Sequence, residues 1–265
     1  MKRIFIPCSL LTILVLSYVV FGQVTDPRVA DLVRAGKVRV ALGLGTPALA
    51  LKDPATGAVR GPALDLAQAL AMRIGVQLVT VEYPRPGAIM DGVRTDAWDV
   101  TFLVADADRG AVADFSPPYM QTDFTYLVPA GSSIRSVADV DRPGVRIADA
   151  RGDASGLLLR RILKHAQLVG VDSLDAAVDL VRTGGADARA APRPVLLAES
   201  ARVPGSRVLD DGFALISYVA MVPKGQAGRL AYVSEFIEEA KTSGLVKRTI
   251  KAAGLRGVQV ALPQK

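Results

Sequence analysis

The chain has 265 residues, 32 basic against 26 acidic, a formal charge of +6, one histidine and one cysteine. The basic residues are scattered and form no stripe interleaved with aromatics, which argues against nucleic-acid binding. So few histidines and cysteines leave no Ser-His-Asp set, no Cys–His pair and no metal-ligand cluster, and no cofactor is implied.

The first residues read as a targeting segment. Lys2 and Arg3 precede an uncharged apolar run, Ile4 to Phe21, and Val20-Phe21-Gly22 places modest residues before Gln23. Residues 1–22 therefore have the layout of a cleaved secretory signal peptide, with an uncleaved membrane anchor as the alternative. Cleavage would remove Cys8 and leave +4, from 30 basic and 26 acidic residues. The remaining stretch of about 240 residues suits two domains better than one. No later apolar run is long enough to span a membrane.

Lys37 to Leu44 alternates and is rich in valine and leucine, which predicts a strand. Lys52 to Gly57 is turn chemistry. Pro62 to Ile74 reads as a helix with Leu66, Ala69 and Leu70 on one face, closed by Gly75. Val76–Val81 predicts a strand, Gly87–Arg94 a short helix and Ala97–Val104 a buried strand.

Asp99 to Tyr119 carries the most chemistry. An acidic loop with Asp106 and Asp108 follows the strand and ends in Arg109; Phe115-Ser116-Pro117-Pro118-Tyr119 comes after it. An arginine just past a buried strand can hold a carboxylate through two parallel hydrogen bonds. It can equally form an internal ion pair with Asp106 or Asp108. The double proline imposes an extended path.

The pattern then restarts. Strands are expected at Thr125–Val128 and Gly144–Asp149, and a short helical segment at Val137–Asp139. Helices are expected at Asp153–Gln167 and Ser173–Arg182, the first carrying His165, the second stopped by Gly184-Gly185. A lone helical histidine reads as a surface or satisfied residue. Pro194–Ala198 fits a strand or a short helix. A strand at Leu215–Val222 and helices at Arg229–Gly244 and Leu245–Ala253 complete the chain.

These elements predict an α/β protein: two doubly wound lobes joined by two crossing hinge strands, at about 120–124 and 214–218. The expected limits are residues 23–121 with 217–265 for the first lobe, and 122–216 for the second. Ligands of such sheets sit outside the carboxyl ends of the strands, where the Arg109 loop lies.

The residues resemble a family. Asp108-Arg109, then Val112-Ala113-Asp114-Phe115-Ser116-Pro117-Pro118-Tyr119, is similar to the "T-x-E-R … V-D-F-S-x-P-Y" run of periplasmic solute-binding proteins of the amino-acid type (extracellular solute-binding protein family 3). Lys52-Asp53 to Gly57, Gly61 and Leu64-Asp65-Leu66-Ala67 resemble "D-x-x-G … G-F-D-x-D-L-A". Val137-Ala138-Asp139-Val140 to Gly144-Val145, and Gly185-Ala186-Asp187-Ala188, resemble two further family stretches. The resemblance runs from about Gly36 to Val258.

It implies the type II periplasmic-binding fold, hinge closure on a small carboxylate-bearing solute, and docking of a monomer on the membrane permease subunits of an ABC importer. Arg109 falls on the arginine that grips the solute carboxylate. Thr46 falls near an aromatic that covers it. Gly152-Asp153-Ala154-Ser155 falls on the helix N-terminus that holds the same carboxylate, with Asp153 suited either to capping or to attracting a ligand cation.

Thr101 and Asp106 complete the expected set, although Asp106 and Val104 stand where the family has hydroxyls. The position of the family aspartate that takes an amino group falls near Ala191 or Pro192. That loss argues for an anionic solute over an ordinary amino acid. It leaves open a non-transport accessory or sensor role, and a periplasmic cyclohexadienyl-type dehydratase with Asp153 as its acid.

Overall fold

The computed structural model describes residues 26–30 and 32–263. The expected signal peptide, its cleavage site and Cys8 lie outside the described residues.

The first lobe opens with β1 (Lys37–Gly43), a small hairpin of β2 (Leu51–Lys52) and β3 (Val59–Arg60), α1 (Pro62–Ile74) and β4 (Gln77–Tyr83). β5 (Val100–Val104) and the one-turn helix α2 (Ala107–Gly110) follow, and β6 (Ala113–Val128) leads away. The second lobe holds β7 (Arg146–Ala150), α3 (Ala154–Ile162), β8 (Gln167–Val171), α4 (Leu174–Arg182), β9 (Ala188–Pro192), α5 (Arg193–Glu199) and β10 (Arg207–Val208). β11 (Ala214–Pro223) returns to α6 (Ala227–Thr242), α7 (Leu245–Ala252) and β12 (Gln259–Val260).

Local chemistry explains the elements. Pro62 starts α1 with its φ already helical, Leu66, Ala67, Leu70 and Ala71 form its buried stripe, and Gly75 ends it at φ +80°. α4 starts at Ser173, whose hydroxyl accepts from the Ala176 amide.

The main sheet runs β4-β1-β5-β11-β6-β9-β7-β8. Its two ends repeat one plan. β1 lies between β4 and β5, all parallel, and β7 lies between β8 and β9, again all parallel. In each lobe the first strand is central and the next two flank it. The winding direction therefore reverses beside β1 and beside β7, and each lobe has a switch point at the carboxyl ends of its strands.

β6 and β11 pair antiparallel with each other, and link β5 on one side to β9 on the other. Proline cannot donate to a ladder. Opposite Pro118 the β6–β11 register shifts on either side of Val219, and the Ala220 amide donates to Ser116 Oγ at 3.0 Å instead. The extended path expected from the prolines is present, as part of one 16-residue strand that runs on past Thr125.

A large core forms around β1, β5, β11, α1 and α6. Two smaller clusters cover the faces of the second-lobe strands, one with Val178, Val181 and Leu196, the other with Ile147, Leu159 and Leu209.

Two expectations are corrected in the second lobe. The helix expected over Asp153–Gln167 stops at Ile162, because Leu163 is extended. Asp141 accepts the amides of Lys164, His165 and Ala166, turning the chain into β8. His165 is therefore on that turn, not on a helix. Pro194–Ala198 is helix within α5, and β9 immediately before it is a strand not foreseen.

Candidate ligand-binding site

The two switch points face each other across a cleft with about 430 Å³ of empty space, its open mouth included. Thr46 follows β1, Val104 ends β5 and Arg109 follows it, Asp153 to Ser155 follow β7, and Arg189 to Pro192 belong to β9; of these, all but Ala190 line it. Leu49, Phe124, Leu174 and Tyr218 supply apolar surface.

Arg109 is 3% exposed. Its Nη1 donates to the Val104 carbonyl at 2.7 Å, and its Nη2 reaches across to the Gly152 carbonyl of the second lobe at 3.2 Å. Its Nε is buried without a partner. Among the described residues no carboxylate lies within 4.0 Å, so the ion pair with Asp106 or Asp108 is not formed. Burial pushes the guanidinium pKa down, against the more distant charges of Asp153 and Asp106.

Asp106 is committed elsewhere. It caps α2 by accepting the Asp108 amide at 2.8 Å, and its other oxygen lies 3.3 Å from Arg161 Nη1. Arg161, on α3, also pairs with Asp108. This cross-lobe clasp joins the helix that carries Arg109 to the helix that begins beside Asp153. Arg85 adds a second strut by donating to the Arg151 carbonyl. Between them the backbones of Gly87 and Gly152 approach so closely that a Cβ on Gly87 would lie 2.8 Å from the Gly152 carbonyl.

Asp153 occupies the N-cap position of α3 but makes no capping hydrogen bond. Its Oδ1 is buried and unpartnered. Burial raises its pKa, opposed by Arg189, Arg109 and Arg85. Ala154 lines the cleft as the first residue of the same helix, and Thr46 lines the opposite wall with its hydroxyl unpartnered. Thr101 is placed away from the cleft: it is fully buried in β5 and its hydroxyl donates to the Ala41 carbonyl at 3.0 Å.

Three polar residues not foreseen, Arg189, Asp149 and Glu199, surround the second-lobe wall together with Ser155. Arg189 is fully buried, with Nη1 donating to the Ala190 carbonyl at 2.5 Å and Nη2 to Glu199 Oε1 at 3.4 Å. Ser155 Oγ lies 2.7 Å from Asp149 Oδ1, and Gly156 leaves room for that carboxyl beneath α3. Burial, with the like charge of Asp153, pushes the Asp149 carboxyl up to about 7. Glu199 is also raised by burial, against the pull of Arg189. One signal pointed to Arg189: it is the charged residue inside an otherwise small and apolar run, Ala188 to Pro192.

This architecture, two α/β lobes facing each other across a cleft, is that of a two-lobed binding protein. The family model of the bacterial extracellular solute-binding proteins, family 3, matches residues 38–252, and the chain belongs to that family. It is 26% identical over 190 residues to a glutamine-binding protein of Geobacillus stearothermophilus, covering 70% of this chain and 72% of the relative. It is 25% identical over 243 residues to the cyclohexadienyl dehydratase of Pseudomonas aeruginosa, covering 86% and 87%. Among solved structures, a variant of ArgBP from T. maritima superposes with a TM-score of 0.75 at 21% identity, over 86% of this chain and 99% of that one. Among the described residues no helix is long and apolar enough to cross a membrane.

Proposed function

We propose that this chain captures a small carboxylate-bearing solute, an amino acid or related compound, between its lobes. It would work in the periplasm after loss of residues 1–22, as a monomer that delivers the solute to the permease subunits of an ABC importer. Residues 23–121 with 217–265 would move against residues 122–216 about β6 and β11.

The observation that carries this reading is Arg109. A buried guanidinium with no carboxylate in contact is costly, and a ligand carboxylate would supply the missing charge and an acceptor for Nε. Asp153 adds an unpartnered acceptor on the facing wall, fit for a donor or cationic group of the same solute. That restores part of the amino-group recognition lost near Ala191 and Pro192, and weakens the expectation of a purely anionic solute.

The test is mass spectrometry of what co-purifies with the protein, then thermal shift with carboxylates and amino acids. A true solute at 100 times its Kd stabilises by about 2.7 kcal/mol. No response to any carboxylate would refute the reading and favour an accessory role.

One observation favours a second reading. Asp153 is an acid with a raised pKa inside the cleft, and one relative is a cyclohexadienyl dehydratase. Aromatisation of a cyclohexadienyl acid by the protein, lost in Asp153→Asn, would establish it.

A further inference from the structure

We propose that Arg189 reads a second polar end of the solute, and that this end carries a hydrogen-bond acceptor, a carboxylate or amide oxygen, rather than an ammonium or a bare alkyl chain. The inference rests on the proposed function and names the solute more closely.

Arg109 and Arg189 line one cleft from opposite lobes, the first beyond β5 and the second on β9. Arg189 is fully buried, yet its Nε has no partner, while Nη1 and Nη2 are turned to the Ala190 carbonyl and Glu199. Its neighbours on the cleft wall, Ala191, Pro192, Val195 and Leu174, offer no side-chain hydrogen bond. A guanidinium has five donors and no acceptor in any charge environment. Whatever polar group meets it must therefore accept.

The surrounding acids do not reverse this. Glu199 approaches from α5 and does not line the cleft, and Asp149 is engaged by Ser155 beneath α3. With Asp153 they offset the arginine's charge and keep it protonated. Discrimination then falls to the match of donor and acceptor. Asp153 is the one of these acids that lines the cleft, and it feels the charge of Arg189 as well as that of Arg109; it can take a donor of the solute, whereas Arg189 itself can take only an acceptor. A site built to hydrogen-bond a group rejects analogues that lack it far more strongly than a site of shape alone.

Calorimetry with matched five-carbon probes tests this. One series keeps an α-ammonium (glutamate, norvaline, ornithine) and the other lacks it (glutarate, pentanoate, 5-aminopentanoate). The expected result is that the diacid of at least one series binds ten-fold or more tightly than its alkyl and ammonium partners. Arg189→Lys, where it folds, should shrink that preference; the wild-type comparison decides the matter on its own. Equal binding within a series, or preference for the ammonium end, overturns the role of Arg189 while Arg109 recognition stands. Absence of binding by all six overturns the inference, and extending that silence to every other carboxylate refutes the carboxylate reading itself.

Discussion

On the first-lobe wall of the cleft, Arg109 is buried with two carbonyls and no carboxylate in contact; on the second-lobe wall, Arg189 is buried beside Glu199 with Asp149 and Asp153 close by. The two arginines have similar burial and opposite electrostatic settings. Arg189 is tied into the second lobe's own structure, and its position is fixed before any solute arrives. Arg109 has its charge left over. The contrast separates an arginine held in place by its own lobe, with one donor left without a partner, from one whose charge as well is left for the solute.

Removing each arginine should sharpen that contrast. Arg189→Met leaves Glu199 buried without its cation and should cost about 3–5 kcal/mol in chemical denaturation. Arg109→Met should cost much less stability but weaken solute binding by about 1.5–3 kcal/mol, or roughly ten- to a hundred-fold in Kd. Equal losses of stability in the two variants would erase the distinction.

The acids of the second-lobe wall give it a pH signature that the first-lobe wall lacks. Asp149 titrates at about 7 in the folded protein, above its unfolded value of about 3.9. The folded state therefore holds the proton more tightly. This contribution is present at low pH and is lost as pH rises from about 4 to about 7, by about 2–4 kcal/mol in all. Asp149→Asn should remove that fall, visible as a flatter difference in Tm between pH 4.5 and 8.

Smaller effects should come from the contacts that hold the walls together. Gly87→Ala places a methyl against the Gly152 backbone and should obstruct closure, weakening binding about ten-fold with little change in stability. Arg161→Gln removes the clasp to Asp106 and Asp108. Arg161 is exposed and its pairs are screened by solvent, so binding should weaken only about two- to ten-fold. The wild type should lose that advantage in high salt, which interlobe fluorescence transfer at low and high ionic strength can measure.

The sequence by itself determined the elements whose signals are local. Alternation predicts β1, proline and glycine bracket α1, and the Phe115–Tyr119 run marks the extended crossing. Arg109 was legible because it stands beyond a buried strand in a characteristic run, and Asp153 because it precedes a helix. Tertiary structure alone decided the rest. α3 ends early because Asp141, more than twenty residues away in sequence, takes three amides of the turn. Thr101 left the site because strand pairing points its hydroxyl at Ala41. Asp106 belongs to Arg161 and not to Arg109 because the lobes meet there. Arg189 entered the site because parallel pairing of β9 with β7 brings it to the cleft, where Glu199 offsets the cost of burying its charge. Local chemistry sets the path of each segment, but which charges share a cleft depends on contacts between residues far apart in the chain.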